Sequence, residues 1–202
     1  MTRLTMALLL LLLMLCSSAL HAERLIATDD GDQIPVAVYP AEGGRLLRHY
    51  ATQRQAPALR LPVLDGGQID LGDLRGKVVL VNFWETWCPP CVEEIPSLQQ
   101  LCRRLRPQGL EILAVDVGES PATMRKFLEN KPTGFPVLMD TRGEALRRRG
   151  IYAFPTTLVL DRSHRIRYAV FGAFDSNSAE VTDALTPLLA ADGPVPAQQG
   201  TP

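Results

Sequence analysis

The chain is predicted to be an α/β domain, a mixed central sheet flanked by helices. Three observations predict it. Apolar, β-branched runs recur at 78–83, 111–117 and 156–160. Helical patterns separate them, and a hairpin and a closing helix follow the last. That order places helices on both faces of one sheet. Of 202 residues, 46% are hydrophobic, enough for one core, and a net charge of −1 gives no footprint for nucleic acid.

Residues 1–22 read as an export signal or membrane anchor, with Arg3 near the start, an apolar block over 6–15 and small residues up to Ala22. The block is short for a span. Cleavage after Ala19 or Ala22 fits, whereas bulky Leu15 before Cys16 argues against a lipoprotein site. In each version the domain works outside the cytoplasm, where disulfides persist and a reductant must be resupplied with electrons. Residues 23–58 are an N-terminal extension with a possible small hairpin around Asp29-Asp30-Gly31-Asp32; packing on the domain, spacing it from a membrane and meeting a partner stay open. The domain proper spans 59–191, and 192–202 is a polar, flexible tail.

Within the domain, 61–64 and 68–71 flank the turn Asp65-Gly66-Gly67 as a hairpin. The central strand 78–83 runs into a helix in which Pro96 should introduce a kink. A strand over 111–117 is followed by a helix capped at 118–121 and running to Asn130. Residues 135–140 lead into a helix over 142–149, 152–160 enter a strand, 161–165 turn the chain, and 166–171 return it. The closing helix spans 179–189. The clusters Arg103-Arg104-Arg106 and Arg147-Arg148-Arg149 read as solvated helix faces, partner docking being the alternative. Cys102, in the stripe Leu98, Leu101, Cys102, Leu105, reads as a buried core thiol, with a third redox partner as the alternative.

The chemistry is expected at Phe83-Trp84-Glu85-Thr86-Trp87-Cys88-Pro89-Pro90-Cys91, where the central strand gives way to a helix. Free N–H groups and the positive end of the helix dipole stabilise a thiolate there. With Cys88 as N-cap, Pro89 and Pro90 fill the first two helical positions, so only the Cys91 N–H is left for the Cys88 sulfur. The Cys88 pKa is therefore expected moderately below the ~8.5 of a free thiol. Cys88 is the expected exposed nucleophile and Cys91 the resolving thiol. A zinc half-site lacks a second ligand pair, since only Cys102 and scattered histidines remain. A structural disulfide closing so short a loop would restrain little of the unfolded chain. Redox chemistry is the favoured reading.

FWETWCPPCVEEIP resembles the FWATWCPPCxxExP signature of extracytoplasmic thioredoxin-like proteins, the TlpA/ResA/CcmG (DsbE) group, over about 61–189. The resemblance implies a thioredoxin fold with that group's central insertion, placed at the strand 111–117 and the helix after it. It implies a cis-proline at Phe154-Pro155-Thr156, with Pro155 facing the cysteines and Phe154 pairing with an extended substrate segment. Trp87, Pro89 and Pro90 complete the expected substrate site, and Trp84 belongs to the core. Asn82 stands where cytoplasmic thioredoxins carry a buried aspartate. In the ResA-like branch a glutamate three residues after the second cysteine takes that role; Glu94 holds this offset, one helical turn from Cys91, and is the expected proton carrier. Glu93 is read as solvent-facing, and Glu85 as an acid on the rim that opposes thiolate formation.

The resemblance further implies a thiol–disulfide oxidoreductase, periplasmic or otherwise extracytoplasmic, that reduces disulfides of exported proteins (apocytochrome c or a copper-site assembly protein). Its electrons would come from a membrane donor of the DsbD/CcdA type. No cofactor beyond the Cys88–Cys91 disulfide, no metal and a monomer are expected. The CcmG branch's GVxGxPE loop is absent from 151–156. A copper-binding chaperone and a disulfide oxidase are the alternatives. Soft thiolates suit Cu(I), but only His49, outside the core, and His164, in a hairpin turn, could serve as the distant ligand. A thiol peroxidase needs Pro-x-x-x-Thr/Ser-x-x-Cys, and Thr86 does not supply that spacing.

Overall fold

The computed structural model describes residues 48–49 and 54–190; the export segment, the possible hairpin of the extension and the tail lie outside the described residues. The strands are β1 (Arg48–His49), β2 (Arg60–Pro62), β3 (Gln68–Asp70), β4 (Val78–Trp84), β5 (Leu110–Val117), β6 (Val137–Asp140), β7 (Thr156–Leu160) and β8 (Ile166–Phe171). The helices are α1 (Pro89–Leu105), α2 (Pro121–Asn130), α3 (Glu144–Arg148) and α4 (Ala179–Ala190). The main sheet has the order β1-β8-β7-β4-β5-β6, and β2 pairs with β3 in a separate hairpin. No helix among the described residues is long and apolar enough to cross a membrane.

β4 is the axis of the fold. It runs parallel to β5 and antiparallel to β7, and every one of its residues is buried. Both faces are covered, which explains a strand written as a continuous apolar run rather than an alternation. On one face Val78, Leu80 and Trp84 pack with Leu98 and Leu101 of α1 and Leu110 and Ile112 of β5. On the other, Val79, Val81 and Phe83 meet Leu113, Val115 and Leu158. Each such side chain contributes about 1.5–3 kcal/mol on full burial.

α1 starts where the prolines predict. Cys88 is its N-cap, Pro89 and Pro90 open it, and it continues through Pro96 to Leu105. Pro96 leaves the Val92 carbonyl without its intrahelical donor. The buried face is Cys91, Glu94, Ile95, Leu98, Leu101 and Cys102, and Cys102 is a buried free thiol. The Ser120 side chain caps α2 by accepting from the Thr123 N–H.

Three expectations are corrected. The helix expected over 142–149 is only Glu144–Arg148, because the Asp140 carboxylate accepts from the Glu144 and Leu146 N–H groups and sets the start two residues later. Arg149 is not solvated: it is buried, and its guanidinium donates to the backbone carbonyls of Ala145, Pro57 and Ala58. The strand expected as part of an insertion is central, since β5 pairs with β4 along all of β4's length; the peripheral elements are α2 and the edge strand β6. The extension also reaches the domain: β1 pairs with β8, and Gln55 bridges to Arg165.

Candidate active site

The end of the sheet assembles the site. Phe83 on β4 pairs with Thr156 on β7, and Trp84 pairs with Asp116 on β5. The segments beyond these residues, the motif turn, the Phe154–Pro155 loop and the turn after β5, therefore leave the same edge of the fold. The Phe154–Pro155 peptide bond is cis, the isomer the sequence comparison implied. Pro155 is buried, and half-buried Phe154 packs on both cores.

Cys88 and Cys91 form a disulfide with an S–S distance of 2.07 Å at the head of α1. Cys88 is 6% exposed and Cys91 1%. Cys88, expected to be exposed, is buried in this disulfide state, though the more accessible of the two; its N–H closes the turn Glu85–Cys88 by donating to the Glu85 carbonyl at 3.3 Å. The sulfur of Cys88 makes no capping bond to α1; its valence is taken by Cys91. Trp87 is 69% exposed beside the pair, Pro89 and Pro90 are exposed, and Trp84 is core.

Glu94 lies on the buried face of α1 with Cys91, itself 4% exposed. Its Oε1 accepts from the Asn82 side-chain amide at 2.7 Å, and that amide also donates to the Thr157 hydroxyl at 2.9 Å. Oε2 has no partner. Burial pushes the Glu94 pKa up to about 7, with the Asn82 bond and then the Phe174 backbone pulling it back. Asn82, which cannot titrate, thus holds a neighbour that can. Glu93 faces solvent, as expected.

A second acid group was not anticipated. Glu85 is buried rather than on the rim, and its pKa is raised by burial and then by Glu119. Glu119 receives the Thr86 N–H at 2.7 Å and the Thr86 hydroxyl at 2.6 Å. It can reach back because Gly118 turns the chain at φ 77°, a conformation that favours glycine. Behind it, Asp116 is fully buried and no side chain donates to it; its pKa is raised to about 9 by burial, then by Glu119 and Glu85, with the Glu119 backbone N–H pulling it back. The available signal was an acid inside an otherwise apolar strand, Leu113-Ala114-Val115-Asp116-Val117.

Comparison with known proteins agrees with this geometry. The AhpC/TSA family model matches residues 52–169. The thiol-disulfide oxidoreductase ResA of Geobacillus thermodenitrificans is 38% identical over 117 residues, 58% of this chain and 67% of the relative. ResA of Bacillus subtilis is 37% identical over 117 residues, 58% of this chain and 65% of the relative. Among solved structures, a secreted thiol-disulfide isomerase from Corynebacterium glutamicum superposes with a TM-score of 0.64 at 27% identity, covering 75% of this chain and 96% of that one. A thioredoxin-family thiol:disulfide interchange protein from Chlorobium tepidum gives 0.59 at 28% identity, over 67% and 95%. A CxxC disulfide on a thioredoxin fold, in a chain with these relatives, identifies a thiol–disulfide oxidoreductase that belongs to the AhpC/TSA family.

Proposed function

We propose that this oxidoreductase works in the reducing direction on disulfides of exported proteins, outside the cytoplasm, with apocytochrome c or a copper-site assembly protein as substrate class. The observation that carries the reading is the buried pair at the head of α1 with Glu94 behind Cys91. The Cys88 thiolate attacks a substrate disulfide; the S–S bond breaks, a mixed disulfide forms and one substrate thiolate leaves. Cys91 passes its proton to Glu94, attacks the Cys88 sulfur, and releases the second substrate thiolate. Two electrons move to the substrate and the Cys88–Cys91 disulfide re-forms. A membrane donor of the DsbD/CcdA type then restores the dithiol. Trp87, Pro89, Pro90, Phe154 and Pro155 form the surface that receives the substrate segment.

Two features favour reduction over oxidation. Pro89 and Pro90 remove two N–H groups that would stabilise a thiolate at the helix start, and no basic residue lies between the cysteines. A less stabilised thiolate leaves the disulfide comparatively stable, and so makes the dithiol the better reductant. The test is the equilibrium reduction potential of the pair at pH 7 in a Cys102→Ser background. A value at or below roughly −220 mV supports the reading, and one near roughly −120 mV overturns it.

A further inference from the structure

The buried acids beside the motif turn have no role in the exchange just described, and their geometry is unusual. Asp116 lies at the end of β5, in register with Trp84 on the face that packs against α1. Its carboxyl is sealed from solvent and meets no side-chain donor; the donor beside it is the Glu119 backbone N–H. The groups that face it are acids too: Glu119 from the turn after β5, which contacts it directly, and Glu85 from the motif turn. Two carboxylates cannot share such a site without a proton between them. Glu119 is committed as an acceptor, because both of its oxygens take hydrogen bonds from Thr86. The proton therefore belongs on Asp116, which can donate it to a remaining lone pair of Glu119 without displacing either Thr86 bond.

We propose that Asp116 and Glu119 share one proton and form a carboxyl clamp on the redox motif, with Glu119 the positioning residue for the turn that carries Cys88. The clamp holds Thr86 by its N–H and its hydroxyl. Thr86 lies within the turn that the Cys88 N–H closes onto the Glu85 carbonyl, so fixing Thr86 fixes the entry to α1 and the Cys88 sulfur. The clamp also sets a charge. With one proton shared, the pair carries a single negative charge near Cys88 over the working pH range; loss of that proton puts a second charge against Glu85 and releases the turn. The proposal deepens the exchange reading and relies on Cys88 being the attacking thiol.

The shared proton makes a definite prediction for amide substitutions. In Asp116→Asn the amide donates to the Glu119 carboxylate. In Glu119→Gln the amide donates to an ionised Asp116 while its carbonyl still accepts from Thr86. Each single variant keeps the clamp and its one negative charge, whereas the double variant keeps the hydrogen bonds and loses the charge.

The first measurement is the infrared carboxylic-acid band of the oxidised protein at pH 7, in a Glu94→Gln background so that Glu94 does not contribute. One protonated carboxyl should disappear in each single amide variant. A band that persists in both overturns the shared proton. No free thiol of the pair exists in that state, so this result is independent of which sulfur attacks substrate. The second is the pH profile of Cys88 alkylation in the reduced protein. Both single variants should follow the parent, and the double variant should hold roughly threefold more thiolate at pH values below the midpoint, since a nearby negative charge is gone. Glu119→Ala should broaden the profile and slow exchange, with Glu119→Gln restoring it. A double variant indistinguishable from the singles, together with a Glu119→Ala profile like the parent's, overturns the clamp. Retained alkylation of Cys88 with no exchange in any form of the protein would instead strike at the function reading.

Discussion

Glu94 and Asp116 are two buried acids on the same side of one sheet, and the fold treats them differently. Asn82 pairs across with Ala114, and Asp116 lies one row further along, opposite Trp84. Glu94 is met by a neutral amide, itself oriented by Thr157. Asp116 is met by other acids and by no side-chain donor, only by the Glu119 backbone N–H. Burial raises both pKa values, but the amide partner opposes the rise while carboxyl partners add to it, so one group is pushed to about 7 and the other to about 9. Burial alone therefore does not assign a role. The polarity of the partner decides whether a buried acid can exchange protons at working pH or stays protonated as part of the framework.

The largest way to expose this difference is through stability. For Asp116 the folded pKa, about 9, lies above its unfolded value near 3.8. The folded state binds the extra proton across that window, so stability is full below the unfolded pKa and falls as pH rises toward the folded one. Asp116→Asn removes the dependence. Denaturant unfolding at pH 5 and pH 8 should show the wild type losing up to about 4 kcal/mol relative to the variant. Equal slopes with pH would mean that Asp116 is ionised in the fold.

For Glu94 the corresponding window, from about 4.5 to about 7, is narrower, and the main expected effect is kinetic. Glu94→Gln should lower the rate of disulfide exchange about 100-fold at pH 7, the scale of a single general acid–base group. It should also flatten the pH dependence of Cys91 reactivity while leaving alkylation of Cys88 close to wild type. An unchanged Cys91 profile would remove Glu94 from the proton path.

Asn82→Asp turns the first arrangement into the second. Two carboxyls would then compete for one proton, and the pair would titrate in two steps, one below and one above the single wild-type midpoint. The alkaline limb of the exchange profile should move up by about one pH unit, a tenfold loss of the ionised form at fixed pH. If the profile keeps one midpoint near 7, the amide is not what sets the Glu94 titration.

Much of this was legible in the sequence because its signals are local. Pro89 and Pro90 after Cys88 dictate a helix start, the three-residue step from Cys91 to Glu94 dictates a shared helix face, and β-branched runs dictate strands. What escaped depends on contacts between distant segments. Asp116 was visible only as an acid in an apolar strand until the β4–β5 register placed it opposite Trp84. Glu119 read as part of a helix cap, and its reach to Thr86 is set by the turn at Gly118. Arg149 could not be told from Arg148 by pattern, because its burial comes from the carbonyls of Pro57 and Ala58, some ninety residues away in sequence.

The smallest expected effect concerns Thr157, the third member of the Glu94 group. Its hydroxyl accepts one proton of the Asn82 amide while the other goes to Glu94. Both donors of a buried amide are thus committed, which fixes the direction in which Asn82 points. Thr157→Val keeps the volume and the β-branch of a strand residue and deletes only that acceptor. An amide proton in a dry site would be left unpaired, at a cost of about 1–3 kcal/mol in unfolding free energy. The effect on Glu94 should be small and of known sign. A less well oriented donor stabilises the carboxylate less, so the exchange midpoint should rise by about half a pH unit. Loss of stability with no movement of the midpoint would make Thr157 a packing residue. A falling midpoint would mean that Asn82 donates better when freed from Thr157, and the orienting role would pass to the β4 backbone that carries Asn82.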